Sequence, residues 1–385
     1  MKYLLIVKTG LGLGGIERSL VEFLRGLDYE RYQVDLLLLY GPFNLLAEIH
    51  HRVHVINAEQ VAPKIRLHPL YAINYVLSQF CGALGLKRGA RFFKKRKLDF
   101  YYRKLYLRHC RKKYDVGVAY QQSFACEYLA RFVTADKKIM MYHHGEIEDR
   151  DYLEPWFRRT DLLLTVGKRI AEKLKQAFPF LREKIVWFPN YIDGDAVRKK
   201  SLEYTPDFSP ECLNLCTCGR IAPEKGFDIA VEAAAILRDR GVRFHWYFVG
   251  GGYQDAKKPI LAAIRQRHLE SCITITGFVN NPYPYLRGCD ILVVPSRFEA
   301  NPLILYEGKI LARRIIATRT DGALELLTPG VDALLTGFSA QEIADGIEYV
   351  MQDKSLLPAS GKPTEDEEQA MRREYYRQWD QILSC

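Results

Sequence analysis

Residues Lys2–Leu27 read KYLLIVKTGLGLGGIERSLVEFLRGL. An apolar run, KYLLIV, leads into a turn with Gly10, Gly12 and Gly15 at the spacing G-x-G-x-x-G. The segment IERSLVEFLRGL then places its apolar residues at helical period. A short apolar run, a glycine turn and an amphipathic helix predict the start of a βαβ unit, hence a parallel sheet covered on both faces. The same rhythm continues with YQVDLLLLY (Tyr32–Tyr40), VGVAY (Val116–Tyr120), KKIMMYH (Lys137–His143) and DLLLTVG (Asp161–Gly167).

The second half repeats it. LNLCTCGRI (Leu213–Ile221), FHWYFVGGG (Phe244–Gly252), SCITITGFV (Ser271–Val279), DILVVPS (Asp290–Ser296) and RRIIAT (Arg313–Thr318) read as strands. FDIAVEAAAILRDRG and KPILAAIRQRH, between the first three, read as helices. Each half opens on its own βαβ start, and 385 residues are too many for one ordinary core. The expectation is therefore α/β, with two Rossmann-like, doubly wound parallel-sheet domains. The join is placed in the polar stretch Gly194–Pro210, giving domains 1–200 and 201–365, with a C-terminal helix at about 366–385 packing back on the first domain.

The opening glycines alone do not define a dinucleotide site. A NAD fingerprint wants an acid at the end of the second strand for the ribose hydroxyls. That strand ends at Tyr40 and Gly41, with Asp35 near its beginning. Two readings stay open for the loop: a close approach of backbone to a ligand at a helix N-terminus, or a plain strand-to-helix turn.

The second half carries more chemistry. In VVPSRFEANPLILYEGKILARRIIATRTDGALELL, Glu299 and Glu307 are separated by seven residues. Pro302 suits a helix start, so Glu299 is expected in the loop above a strand's carboxyl end and Glu307 one turn inside the helix. Open α/β sheets bind ligands at such ends, and a helix N-terminus between the carboxylates suits phosphate. Upstream, GRIAPEKGFD supplies Arg220 and Lys225, a planar fork and a point charge suited to a diphosphate.

At these residues the chain resembles the retaining glycosyltransferases of family 4, which have the GT-B fold, two Rossmann-like domains facing across a cleft. The resemblance rests on Gly219-Arg220…Lys225-Gly226, Gly250-Gly251-Gly252, Gly277-Phe278-Val279 and Glu299…Glu307 in that order, followed by TDGALELL with Glu325. It is looser in the first half: Gly14-Gly15-Ile16-Glu17, the histidine segment MMYHHGEI, and FPNYID, where Tyr191 replaces the usual glycine. Two further departures are Glu307-Gly308 for the usual Glu-Ala, and LARRII in place of Gly-x-Pro before the next strand.

The resemblance implies a nucleotide-sugar donor, a UDP-sugar by family frequency, on the second domain, an acceptor on the first, and no metal or other cofactor. Arg220 and Lys225 would stabilise the leaving diphosphate. Glu299 would contact the transferring sugar, His144 would hydrogen-bond it, and Glu307 would hold the ribose. Gly14, Gly15, Gly219, Gly250, Phe278, Val279, Asn301, Pro302 and Leu303 would complete the donor site. Plain alternatives exist for each charge: a solvated helix start for the two glutamates, surface cations for Arg220 and Lys225, a satisfied strand-end neighbour for His144. His143 reads as packing or surface. A sugar-nucleotide epimerase and a non-catalytic scaffold are the competing functions.

Charge is unevenly spread. The net charge is +10, yet Lys87–Lys113 holds thirteen Lys and Arg against Asp99 alone. Its basic residues alternate with Phe92, Phe93, Phe100, Tyr101, Tyr102 and Tyr106, and Leu98, Tyr101, Tyr102 and Leu105 fall on one helical face. Beside the apolar PLYAINYVLSQFCGALGL this suits an anionic membrane surface; a solvated helix is the other reading. No nucleic-acid motif accompanies the charge. No apolar run reaches the ~18 residues of a span, Lys8 interrupts the only N-terminal apolar run, and nine scattered cysteines suit a reducing compartment. The expected location is cytoplasmic, on the inner face of a membrane, near a lipid-linked or membrane-proximal glycan acceptor. Cys216 and Cys218 lie in a predicted strand and are expected to pack rather than to bind metal.

Overall fold

The computed structural model describes residues 1–110, 113–252, 254–311, 313–352 and 364–384. Arg111 and Lys112 of the basic stretch lie outside the described residues, as does Cys385. The chain divides into two compact units. The first comprises Met1–His143, Glu148–Thr165 and Leu174–Trp187; the second comprises His144–Ile147, Val166–Lys173 and Phe188–Cys385.

The first unit is built on seven strands: β1 (Lys2–Lys8), β2 (Tyr32–Leu38), β3 (His54–Asn57), β4 (Tyr114–Ala119), β5 (Ala135–Tyr142), β6 (Leu162–Thr165) and β7 (Ile185–Trp187). They run parallel in the order β3-β2-β1-β4-β5-β6-β7. The central strand β1 is buried on both faces from Leu4 to Val7, which is why its sequence is continuously apolar rather than alternating. The order reverses direction between β1 and β4, and the loops above their carboxyl ends are where ligands bind in such sheets. Two helices, Pro69–Ala83 and Lys87–His109, form a hairpin inserted between β3 and β4.

The second unit is built on β8 (Leu213–Cys218), β9 (Phe244–Val249), β10 (Ile273–Gly277), β11 (Ile291–Val294), β12 (Arg314–Thr318) and β13 (Ala333–Thr336), also parallel, in the order β10-β9-β8-β11-β12-β13. Its switch point lies between β8 and β11. A buried polar chain fastens the three central strands: Trp246 Nε1 donates to Thr217 Oγ1 at 3.0 Å, and Thr217 Oγ1 donates to the Val293 carbonyl at 2.9 Å. Ala230, Ala233 and Ala234 of the helix Phe227–Asp239 are fully buried, and such small side chains let it pack closely with Ile343 and Ile347 in one core.

The polar stretch expected as the join contains a helix, Gly194–Lys200, whose start is capped by Asp193 accepting from the Ala196 N–H at 3.0 Å. Val197 of that helix is buried in the core of the second unit, whose long continuous segment starts at Phe188. The C-terminal helix Glu365–Ser384 rests on the same region. Trp379 packs on Phe188 with ring centroids 4.7 Å apart, Tyr375 stacks on Tyr191 at 5.2 Å, and Glu368 receives both terminal nitrogens of Arg198 at 2.7 and 2.6 Å.

Candidate functional site

In the second unit, β8 ends at Cys218 and the chain turns through Gly219-Arg220 to a single 3-10 turn, Pro223–Lys225. Gly226 follows in the left-handed region, φ 68°, and a Cβ there would run into the Pro295 carbonyl oxygen. The glycine thus lets the Lys225 turn close on the loop that follows β11. Gly250, φ 143°, likewise lies too close to the Gly219 carbonyl for any side chain.

The loop after β11 brings the expected charges together. Glu299 Oε1 accepts from Lys225 Nζ at 2.6 Å and from Ser296 Oγ at 2.9 Å. The lysine side chain is 29% exposed and the glutamate 12%, so the pair is accessible yet held in place. Pro302 is the residue before the helix Leu303–Ile310, with extended backbone and no side-chain cap on the first helical N–H groups. Glu307 is buried within that helix. Asn301 is 9% exposed. Its Nδ2 donates to Tyr306 Oη at 3.2 Å, while its Oδ1 is buried without a partner, and a buried orphan acceptor of this kind calls for an explanation. The segment His144–Gly145 belongs to the same unit. A Cβ on Gly145 would lie 2.7 Å from the Glu299 carbonyl carbon, and the His144 ring sits 5.0 Å from that of Phe298. His144 Nδ1 is 2.8 Å from the Glu146 carbonyl oxygen.

Arg220 reaches a different partner. Its guanidinium pairs with Glu224 at 2.8 Å and is 59% exposed. Burial pushes the Glu224 carboxyl up, and backbone hydrogen bonding and Arg220 more than reverse this, leaving it below the usual carboxylate range. Phe278 is 65% exposed and lies over Gly251, where a Cβ would meet its ring at 2.5 Å. Val279 packs against the core. Glu325 accepts from the Lys168 and Arg169 N–H groups at 2.8 and 2.6 Å.

A residue that no sequence motif singles out, Arg297, braces this site. Arg297 donates to the Pro223 carbonyl at 2.7 Å and to both Asp228 oxygens at 2.8 and 2.6 Å. Its own N–H donates to the Glu224 carbonyl at 2.8 Å. The guanidinium holds Asp228 below its ordinary pKa. One side chain therefore ties the Lys225 turn to the Glu299 loop. Nothing in the spacing announces a partnership 69 residues apart.

In the first unit the glycine loop is organised by Lys8. Gly14 precedes the helix Gly15–Arg25 and supplies no side-chain cap. Lys8, at the end of β1, is 1% exposed. It pairs with Glu17 of that helix at 2.6 Å and donates to Gln121 Oε1 at 2.5 Å; Thr9 Oγ1 donates to the same oxygen at 2.7 Å. Burial lowers the Lys8 pKa, with Glu17 opposing. Beyond β5, both ring nitrogens of His143 are buried without a partner. Burial, then the Lys8 charge, pushes this ring down to about 3. Among the described residues no group of three His, Cys, Asp or Glu side chains is placed to hold a metal ion. Cys216 is fully buried on β8.

Two parallel α/β sheets in this connectivity, the second with lysine, glutamate and a helix start at its switch point, define the GT-B class of fold, and comparison with solved structures agrees. Anabaena Alr3699/HepE in complex with UDP-glucose superposes with a TM-score of 0.69 at 20% identity over 100% of both chains. Residues 213–353 match the family model described as glycosyl transferases group 1. That match lies wholly within the second unit. Among curated relatives, the alpha-D-kanosaminyltransferase of Streptomyces kanamyceticus is 31% identical over 36% of this chain and 36% of its own length. The N-acetylgalactosamine-N,N'-diacetylbacillosaminyl-diphospho-undecaprenol 4-alpha-N-acetylgalactosaminyltransferase of Campylobacter jejuni is 26% identical over 53% of this chain and 54% of its own length. The chain thus spans about half, or less, of the length of these relatives.

Proposed function

We propose that this protein is a metal-independent retaining glycosyltransferase that moves a sugar from a nucleotide-diphosphate donor, a UDP-sugar, to a membrane-associated glycan or lipid-linked acceptor in polysaccharide synthesis. The observation that carries the reading is the Lys225–Glu299 pair, 2.6 Å apart at the carboxyl end of the second sheet and next to the uncapped start of the helix Leu303–Ile310. The names of relatives support the substrate class. HepE has been solved with UDP-glucose, one relative acts on a diphospho-undecaprenol acceptor, and another is an amylovoran biosynthesis glycosyltransferase of Erwinia amylovora.

In this reading the second unit holds the donor and the first the acceptor. The diphosphate lies against Lys225, Arg220 and the N–H groups at the start of the Leu303 helix. The orphan Oδ1 of Asn301 is available to a donor hydroxyl. Glu307 holds the ribose, Phe278 and Val279 adjoin the base, and Gly219 and Gly250 leave room for the backbone to approach. Glu299 and His144 orient the transferring sugar, and Gly14 and Gly15 let the first loop close on phosphate or acceptor. The bond from the anomeric carbon to the diphosphate oxygen breaks, and a bond to the acceptor oxygen forms on the same face. The acceptor's proton leaves with the departing phosphate oxygen, so no side chain need act as nucleophile. Stabilising the leaving oxygens with fixed cations lowers the barrier.

The test is a thermal-shift screen of nucleoside diphosphates and their sugars, which raise the midpoint by mass action, followed by turnover assays with and without acceptor. UDP stabilisation with acceptor-dependent, EDTA-resistant turnover is the expected result. Donor conversion without acceptor would assign an epimerase instead, and binding without turnover a scaffold. The same reading places the protein on the cytoplasmic face of an anionic membrane through Lys87–Lys113.

A further inference from the structure

From Leu67 to Leu86 the chain has no Asp, Glu, Lys or Arg in twenty residues, yet the structure leaves this stretch largely uncovered. In the helix Pro69–Ala83 only Ser78 is buried. Leu70, Ile73, Val76, Phe80 and Leu84 are each exposed by more than half, Val76 and Phe80 by 61%. Spaced three or four apart, they form one stripe. Exposed large apolar side chains occur singly on any protein, but a contiguous, charge-free row marks a surface that something covers.

The opposite side of this helix faces its partner in the hairpin. Tyr71 and Tyr75 lie under Lys97 at 5.5 and 4.9 Å, His68 packs on Phe100 at 4.7 Å, and Gly89 lies against Cys81. These pairs fix an antiparallel hairpin closed by Gly85, φ 71°. The far half of the second helix is anchored: Tyr101 Oη donates to the Ala58 carbonyl at 3.1 Å, and Leu105 is fully buried. Its near half presents Arg88, Arg91, Lys94, Lys95 and Arg96 to solvent.

We infer that the helix Pro69–Ala83 lies in the interface of an anionic phospholipid bilayer, its Leu70–Leu84 stripe at the headgroup–acyl boundary and the basic residues of the paired helix on lipid phosphates. Charge decides the occupant. Lys87–Lys104 carries nine Lys and Arg against one acid, so a second copy would set like charge against like charge, whereas anionic headgroups neutralise it. At 15 residues the helix is too short to span, and among the described residues no helix is long and apolar enough to cross a membrane. It lies in the plane of the interface instead. This deepens the membrane part of the proposed function and is independent of the transfer chemistry. It assigns the anchoring to the uncharged helix, with the basic helix as its electrostatic partner.

The full chain is floated with vesicles of phosphatidylglycerol and phosphatidylcholine, and with phosphatidylcholine alone, at low and high salt. The wild type is expected to bind the anionic vesicles and to keep measurable binding at high salt. Ile73→Asp with Phe80→Asp, both at exposed positions, should weaken binding about a hundredfold, roughly tenfold for each side chain removed from the acyl boundary. Lys94→Gln with Lys95→Gln and Arg96→Gln should remove the salt-sensitive part. Full binding by the aspartate variant, with loss only in the glutamine variant, overturns the inference and leaves electrostatic adsorption standing. Absence of wild-type binding overturns both. A dimer in sedimentation that the aspartate pair dissociates, without vesicle binding, assigns the stripe to a second copy and also overturns it. Transfer to a soluble acceptor should be unchanged in every variant, so a failed transferase reading would show up separately.

Discussion

His143 provides a quantitative test of the first unit's buried polar cluster. Its two ring nitrogens have no partner and no solvent, and the ring's pKa is pushed from 6.5 to about 3, by burial first and by the Lys8 ammonium second. The folded ring therefore stays neutral at pH 5, where most unfolded chains carry the proton. Between 6.5 and about 3 the unfolded state binds more protons, so stability falls as pH falls through this window, and the full penalty is reached below it. Each pH unit is worth about 1.4 kcal/mol; the 1.5 units from 6.5 down to pH 5 cost about 2 kcal/mol, and the whole window about 5 kcal/mol. His143→Leu keeps most of the volume and removes the titration. Because a two-unit chain need not unfold in one step, the measurement is amide exchange on β4 and β5 at pH 7 and pH 5. The wild type should lose about 2 kcal/mol more than His143→Leu over that interval. Equal losses, or a ring proton signal titrating near 6.5, would refute the reasoning.

The second unit yields three further expectations. Glu299→Gln should lower turnover about 10²- to 10³-fold with little change in melting temperature; unaltered turnover in a folded variant would remove Glu299 from the mechanism. Arg297→Ala should cost under about 1 kcal/mol of stability, since its pair with Asp228 is 39% and 52% exposed. Turnover should nonetheless drop about a hundredfold with only a small rise in KM, because the Lys225 turn loses its brace and misplacement is costly. Arg297→Lys, which lacks the fork, should recover little. Gly226→Ala should destabilise the second unit by more than about 2 kcal/mol, the left-handed penalty plus displacement of the Pro295 carbonyl; a urea midpoint unchanged from wild type would count against the strained turn.

The strands legible in the sequence are mostly those flanked on both sides. β1, β4 and β5, and β8, β11 and β12, announce themselves as apolar runs because both faces are covered. β3, β7 and β13 went unread. Each is three or four residues long, and so short a run cannot be told by pattern alone from a piece of a buried helix. The helix inside Gly194–Lys200 was hidden for a related reason: with three of its seven residues basic, it shows only Val197 to the core. At the site, Glu299, Lys225 and the helix start were legible because glycine and charge at strand ends are local signals. The Arg297–Asp228 brace was not, since it is a long-range pairing of two ordinary surface residue types. Lys8 read as the residue that ends an apolar run, and in the fold it is one of the most buried side chains of the first unit.

The two sheets end in the same device put to different uses. Each places a lysine–glutamate pair, 2.6 Å apart, at the carboxyl end of its central strands. Lys8 is sealed at 1% exposure, with Gln121 as a second acceptor. A ligand could take that ammonium only by entering a place sealed from solvent and displacing two acceptors, Glu17 and Gln121. Lys225 is 29% exposed and stands on a braced turn beside uncapped helix N–H groups. An incoming diphosphate can compete for it, since the ammonium is open to solvent and Glu299 keeps its Ser296 hydrogen bond. By this comparison Lys8 fixes the shape of the glycine loop, whereas Lys225 is the cation free to change partners. Lys8→Met should therefore loosen the loop and raise exchange in β1 without abolishing UDP stabilisation, while Lys225→Met should abolish that stabilisation in a chain that melts like the wild type. The opposite pattern would reverse the assignment of donor and acceptor units.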